Sequence, residues 1–135
     1  MAWVEIFAVF VVSHGLGDYM LQTDWQATRK RAGLSRRNPV ARRALFSHVT
    51  TYTLAFVPAG AWLAGDLGAG GLAALAAGIF IPHLVQDDGR LLTAYVRRVK
   101  GEGAATTPTV YTSVDQSLHL ITLFLTALVV HWTTK

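Results

Sequence analysis

The first hydrophobic stretch of the chain reads AWVEIFAVFVVSHGLGDYML and covers residues 2–21. As a helix it is long enough to cross the hydrocarbon core of a bilayer, which is ~30 Å thick. His14 and Asp18 lie inside it, one helical turn apart on the same face. Ionisable side chains in such apolar surroundings are costly unless they pair, bind a cation or line a hydrated cavity. The stretch therefore predicts a membrane-spanning helix that carries part of a polar site.

Three more stretches have the length and composition of membrane spans. The four predicted spans cover residues 2–22, 44–64, 68–95 and 113–134. Since 52% of the 135 residues are hydrophobic and only 15% are charged, the chain is too apolar for a typical soluble domain of this size. The first span lacks the basic start and the small-residue cleavage site of a signal peptide. We predict one all-α domain, residues 1–135, folded as an integral membrane four-helix bundle.

Positive charge predicts the orientation of this bundle. Seven of the twelve Lys and Arg residues lie between the first two spans, and four more lie at the inner end of the third span or after it. These are Arg29, Lys30, Arg31, Arg36, Arg37, Arg42 and Arg43, and then Arg90, Arg97, Arg98 and Lys100. By the positive-inside rule both basic loops face the cytoplasm and both termini face out. Trp3, Trp62 and Trp132 fall at the predicted outer ends, where an aromatic belt belongs.

The net charge of +4 has two interpretations. It reflects membrane topology and attraction to anionic lipid, or it recruits an anionic, phosphorylated substrate to the cytoplasmic face. The lipid bilayer is the expected partner, no specific nucleic acid is expected, and a homo-oligomer stays open.

Four histidines lie deep in the predicted spans, three of them four residues from an aspartate, whereas His131 lies at the outer end of the fourth span. Counted from the outer ends of the spans, all four lie about 16–22 Å deep at 1.5 Å per residue. The candidate metal ligands are therefore the residues of one layer: His14, Asp18, His48, His83, Asp87, Asp115 and His119. The two halves of the chain also look like a parallel pseudo-repeat, because each is a hairpin that opens with His-x3-Asp.

Imidazole and carboxylate groups favour zinc, with iron or manganese as alternatives, and the chain has no cysteine to add thiolate ligands. Seven candidates suffice for one ion with carboxylates that orient its ligands, or for two ions. Asp18, Asp87 and Asp115 are the candidate catalytic residues, as bridging ligands or as a general base. Gln22 and Gln116 are expected to hydrogen-bond the ligands or the substrate. Asp88 adjoins Asp87 but points about 100° away on a helix, which ranks it lower.

The motif His14-x3-Asp18-Tyr-x2-Gln22-x2-Trp25-x-Ala27 resembles the start of a family of small bacterial and phage membrane proteins catalogued as a domain of unknown function. The family pattern continues with a lone His, H-x3-D and D-Q-x2-H, which His48, His83/Asp87 and Asp115-Gln116-x2-His119 match across nearly the whole chain. The second acid at Asp88 departs from the pattern. The resemblance implies a multi-pass protein of the bacterial inner membrane. It also implies a distant similarity to membrane-bound metal-dependent hydrolases, without an established activity.

Three functions follow from these patterns. The leading hypothesis is a membrane-embedded metal-dependent hydrolase that acts on a phosphoester or a lipid-linked substrate near the cytoplasmic face. The second is a metal-ion or proton transport protein that uses the same residues as relays. The third is a non-catalytic membrane module in which a bound metal stabilises the helical bundle. Whether the chain is an enzyme is open at this stage.

Overall fold

The structure, a computed structural model, describes residues 1–35 and 37–135, so Arg36 of the first basic loop lies outside the described residues. Within these ranges the chain forms seven α-helices and no β-strand, which confirms the all-α prediction. The helices are α1 (Trp3–Gly15), α2 (Asp24–Arg29), α3 (Pro39–Leu54), α4 (Val57–Asp88), α5 (Arg90–Lys100), α6 (Glu102–Thr106) and α7 (Pro108–Thr133). A π-helical turn, Leu16–Met20, continues α1.

The long helices pack side by side, α1 against α7, α7 against α4, and α4 against α3. Their shared apolar core includes Phe10, Phe56, Leu75 and Leu123, all buried. Both termini lie at one end of this bundle, where His131 Nδ1 is 2.8 Å from the carbonyl oxygen of Met1. The histidines and aspartates of the predicted site lie at the opposite end, which is therefore the more polar end of the bundle.

Two helices are long and apolar enough to cross a membrane, Val57–Asp88 and Pro108–Thr133, whereas the sequence predicts four spans. The first of these helices contains a break at Gly68, whose φ of 62° only glycine adopts readily. This break lies where the second and third predicted spans were separated. The predicted span 44–64 is itself interrupted, because α3 ends at Leu54 and α4 begins at Val57.

The third predicted span also ends earlier than residue 95. Gly89 adopts the left-handed conformation (φ 74°), which ends α4 at Asp88. The chain then turns into α5, which buries Leu92 and Val96 and exposes Arg97. A glycine that follows two aspartates therefore sets the end of the helix that carries His83 and Asp87, two of the seven predicted ligands.

The loop between α2 and α3 is fastened to the polar end of α4. The backbone N–H groups of Ala32 and Leu34 donate to the carbonyl oxygen and Oδ1 of Asp88, at 2.8 and 2.7 Å. Gln26, in a capping box with Thr23, donates from Nε2 to Ser47 Oγ at 3.0 Å and ties α2 to α3. The basic residues 29–31 are consequently held beside the predicted site.

The π-helical turn lies very close to α3. A Cβ atom at Gly17 would lie 2.8 Å from Tyr52 Cδ2 and 3.2 Å from Tyr52 Cα. Only a residue without a side chain fits this contact, and the contact sets the position of the Tyr52 ring.

We expect Gly17→Ala to lower the free energy of unfolding by about 1–3 kcal/mol, because the added methyl group forces α3 and the turn apart. Gly15→Ala is the matched control, since a Cβ at Gly15 meets nothing within 4 Å. Thermal unfolding of both variants in detergent, followed by circular dichroism, measures the difference. Equal midpoints for the two variants would refute the contact.

Candidate metal centre

Four donor atoms from three segments of the chain converge at the polar end of the bundle. Asp18 comes from the π-helical turn, His48 from α3, and His83 and Asp87 from α4. His48 Nε2 lies 3.0 Å from His83 Nε2, 2.8 Å from Asp87 Oδ2 and 3.2 Å from Asp18 Oδ1. All four side chains are buried. Residues far apart in the sequence thus form one compact group of nitrogen and oxygen donors.

The number of close contacts at His48 Nε2 fits a shared cation better than direct hydrogen bonds. A neutral imidazole nitrogen carries either one hydrogen or one lone pair, so it satisfies a single partner. His48 Nε2 nevertheless faces three of these donor atoms within 3.2 Å. Ligands ~2.0–2.1 Å from a tetrahedral zinc lie about 3.3–3.4 Å from one another. The measured separations, from 2.8 Å to the 4.0 Å between His83 Nε2 and Asp18 Oδ1, bracket that value.

Asp87 connects this group to a second one, formed with Asp115 and His119 of α7. Its Oδ2 atom faces His48 and His83, whereas its Oδ1 atom lies 3.6 Å from His119 Nε2. The Nδ1 atom of His119 lies 2.8 Å from the backbone oxygen of Asp115, which can only accept a hydrogen bond. In neutral His119 the hydrogen is therefore on Nδ1, and the lone pair of Nε2 points towards the carboxylate of Asp87.

A lone pair directed at a carboxylate is repulsive unless a cation or a proton lies between them. His119 Nε2 and Asp18 Oδ1 are both buried without a hydrogen-bond partner among the described residues, as is His83 Nδ1. Unpartnered buried polar atoms are rare in proteins and call for a bound group. Two of these three atoms belong to the donor groups of the centre, which supports cation binding there.

His14, a predicted ligand, belongs to neither donor group. Its Nδ1 atom is 3.0 Å from Tyr52 Oη, and its Nε2 atom is 2.9 Å from Gln116 Oε1. Gln116 in turn donates from Nε2 to Asp18 Oδ2 at 3.0 Å. Both nitrogens of His14 are occupied, so its contacts orient Asp18 through Gln116.

The π-helical turn accounts for this arrangement. The N–H of Leu21 donates to the carbonyl of Leu16 at 3.0 Å, a closure over five residues. The extra residue per turn changes the direction of Asp18 relative to His14, so the expected direct pair does not form. The equivalent pair on α4 keeps regular helical spacing, and His83 Nε2 lies 3.2 Å from Asp87 Oδ2.

The two predicted glutamines lie at the centre in different positions. The Gln22 amide nitrogen is 3.0–3.1 Å from both ring nitrogens of His48. Gln116 joins His14 to Asp18, as described above. Both therefore contact candidate ligands.

Asp88 lies apart from the centre, since its carboxylate accepts hydrogen bonds from Leu34 N–H at 2.7 Å and Arg90 Nε at 2.6 Å. Of the two adjacent acids, Asp87 is the one that faces the histidines.

Two residues of the centre were not predicted from the sequence. Lys30 Nζ lies 2.7 Å from Asp87 Oδ2, the oxygen atom that also faces His48 and His83. The Tyr52 ring is stacked on the His83 ring with centroids 3.4 Å apart. Tyr52 follows His48 by the four-residue step that marks the other pairs, so its position could have been found. No pattern in the sequence indicates Lys30, because it arrives from a loop.

A polar pocket of about 230 Å³ connects the centre to the surface beside the α2–α3 loop. Asp18, Asp87 and Asp115 form its acidic wall, and Lys30 and Arg31 form its basic wall. Asp115 is the part-exposed carboxylate of the three. The centre is thus accessible to water and to a small polar ligand from one side.

Of the seven predicted ligands, the structure brings six into the two donor groups, and His14 contacts the centre through Gln116. Comparisons with curated proteins and with solved structures gave no match. A comparison with family models matches residues 6–135 to a family described as a protein of unknown function, DUF3307. This match covers nearly the whole chain, and the chain therefore belongs to the DUF3307 family.

Proposed function

We propose that the chain is a membrane-embedded, metal-dependent hydrolase whose centre opens to the cytoplasm. The observation that carries the proposal is the convergence of His48, His83, Asp18 and Asp87 on one point beside a polar pocket. A divalent ion at this point would satisfy buried donor atoms that the protein leaves without hydrogen bonds. The nitrogen and oxygen donors and their spacing favour zinc, with iron or manganese as alternatives.

Formal charges favour one ion. Asp18, Asp87 and Asp115 carry three negative charges, Lys30 carries one positive charge, and histidines that bind metals are neutral. A single divalent ion makes this cluster neutral. A second ion in the Asp87, Asp115 and His119 group would leave two excess positive charges unless Lys30 moved away. Excess charge in an apolar interior is costly, so the native state holds one ion beside Lys30.

The side chains of the centre have different roles in the proposed hydrolysis. His48, His83, Asp18 and Asp87 would hold the ion, and Asp87 joins it to the second donor group, with Asp115 and His119. A bound divalent metal supplies Lewis acidity and lowers the pKa of water, which generates a nucleophile at neutral pH. Asp115, exposed to the pocket, accepts the proton that water loses as it adds to the substrate. The His14–Gln116–Asp18 chain keeps Asp18 pointed at the centre.

The membrane setting is part of the proposal. The two helices long enough to span a bilayer both carry residues of the centre at their polar ends. The basic residues 29–31 and 97–100 lie at the same end, which the positive-inside rule assigns to the bacterial cytoplasm. The centre would then lie at the inner leaflet, within reach of both lipid headgroups and water-soluble substrates.

The first prediction concerns metal content. Detergent-purified wild type should contain one equivalent of zinc, iron or manganese by elemental analysis, and His83→Ala should contain less than a tenth of that. The reason is that His83 supplies one of four donors and has no neighbour that replaces it. His131→Ala is the matched control, because His131 lies at the opposite end of the bundle and contacts only the backbone of Met1.

Equal metal in His83→Ala and His131→Ala would refute the centre. If variants that lose the metal also unfold, and the metal-loaded wild type hydrolyses no ester, the results would favour the non-catalytic module instead. Metal-dependent uptake into liposomes would favour transport.

The second prediction concerns Lys30. Lys30→Met removes a positive charge 2.7 Å from Asp87 Oδ2, so we expect metal affinity to rise by about tenfold or more. The same variant should bind a second equivalent, since the charge that opposes it is gone. Titration with a competing chelator gives both values, and Lys100→Met, which removes an exposed Lys of α5, is the control. Unchanged affinity and stoichiometry would contradict the one-ion assignment.

The third prediction distinguishes the metal ligand Asp87 from the general base Asp115. Asp87→Asn should lose the metal, whereas Asp115→Asn should keep it and lose about 10²–10⁴-fold in kcat, the usual contribution of a general base. The substrate is whichever ester of a phosphoesterase and lipase panel the wild type hydrolyses. Asp66→Asn, beside the break at Gly68 and away from the centre, controls for removal of a carboxylate. Retained kcat in Asp115→Asn would exclude its role as base.

A further inference from the structure

One side of the polar pocket holds an arginine that lies over an aromatic ring. Arg31 Cζ lies 4.3 Å from the centroid of the Tyr111 ring, so the guanidinium group is placed above an aromatic face. Tyr111 is buried, and its hydroxyl donates to the carbonyl of Gly89 at 3.3 Å and lies 3.2 Å from Thr93 Oγ1. The surface beneath Arg31 is therefore rigid.

The backbone around Arg31 is fixed as well. Ala32 and Leu34, on its C-terminal side, donate their N–H groups to Asp88 at 2.8 and 2.7 Å. Lys30, on its N-terminal side, is held by Asp87 at 2.7 Å. The two adjacent aspartates of α4 thus fix the loop on both sides of Arg31.

Arg31 is the cation of this pocket without a carboxylate partner among the described residues, since Lys30 is paired with Asp87. A guanidinium stacked through its face still has five N–H donors at its edge. Such a planar fork matches the oxygens of a phosphate group and binds them with two parallel hydrogen bonds. The basic wall therefore presents an oriented anion-binding group opposite the metal centre.

We propose that this pocket binds the phosphate group of a phosphoester, with Arg31 on one side of the phosphorus and the metal centre on the other. The inference rests on the proposed hydrolase function and names its substrate class. A neutral carboxylic ester offers Arg31 no negative charge. A phosphate needs Arg31, because three carboxylates on the acidic wall would otherwise repel it.

The reaction is hydrolysis of a phosphate monoester. The oxygen of water forms a bond to phosphorus, and the bond between phosphorus and the ester oxygen breaks. Asp115 takes one proton from the water and gives it to the leaving oxygen, which becomes the free alcohol, and the second proton of the water stays on the phosphate. The products are that alcohol and inorganic phosphate, and no redox partner is required.

The first test is binding rather than turnover. Inorganic phosphate, the product, is titrated calorimetrically into detergent-purified protein loaded with one equivalent of zinc and freed of excess metal. We expect Arg31→Ala to raise the Kd at least tenfold, and Arg31→Lys to weaken binding less, because it keeps the charge and loses the fork. Arg29→Ala removes an exposed arginine of α2 and should leave the Kd unchanged.

The variants must hold the same zinc as wild type, which shows that they are folded. A Kd for phosphate that is the same in Arg31→Ala and wild type overturns the inference. So does the absence of phosphate binding in a zinc-loaded wild type that cleaves carboxylic esters, a result that leaves the proposed hydrolase intact. A wild-type protein that holds no metal would instead contradict the proposed hydrolase function itself.

Two substrates that share a glycerol phosphate group distinguish a lipid phosphoester from a water-soluble one. Phosphate release is measured from dioleoyl phosphatidic acid in mixed micelles and from glycerol 3-phosphate in water, with dioleoylglycerol as the carboxylic ester in the same micelles. Faster release in the micelle arm assigns a lipid phosphate, and faster release in water assigns a soluble one. Either result supports the inference when Arg31→Ala lowers the rate of phosphate release at least tenfold. Cleavage of dioleoylglycerol alone overturns it.

Discussion

The carboxylate of Asp87 is buried in an apolar bundle, and the polar half of the molecule is arranged around it. Its side chain is 2% exposed, and removing an ion of this size from water costs several kcal/mol unless other groups compensate. Nitrogen atoms of His48, His83, His119 and Lys30 lie 2.7–3.6 Å from its two oxygens. These residues come from α3, α4, α7 and the end of α2, so one charge brings four parts of the chain together. A shared cation between the nitrogens is the simplest way to compensate it.

The other contacts at this end make the donor set rigid. Gly17 lets the π-helical turn approach α3, and the Tyr52 ring fills the space between them and stacks on His83. The Tyr52 hydroxyl fixes His14, and His14 fixes Gln116, which holds Asp18. A π-helical turn inside a helix is uncommon and occurs frequently at functional sites. Its presence here is consistent with a centre that requires a particular direction of one carboxylate.

The helical class, the set of polar residues and their common depth could be predicted from the sequence, because regular helices convert a four-residue spacing into one face. That rule describes His83 and Asp87 well, since α4 is regular around them. It fails for His14 and Asp18, because the π-helical turn depends on how closely that segment packs against α3. Lys30 and the Asp88 contacts could not be predicted either, since both depend on how a loop folds back on α4. The third predicted span runs past residue 88, where the positive φ of Gly89 ends α4, whereas the positive φ of Gly68 falls at the predicted boundary between the second and third spans.

Asp87 and Asp88 are adjacent in the chain, and Asp87 lies in the candidate metal centre while Asp88 fastens the loop beside it. The loop also places the Lys30 ammonium group against the Asp87 carboxylate, at the polar pocket that gives access to the centre. An ion that entered or left through this pocket would have to pass Lys30, whose loop is held by the hydrogen bonds of Ala32 and Leu34 to Asp88. The rate of metal exchange would then depend on movement of the Lys30 side chain as well as on the strength of the ligand bonds.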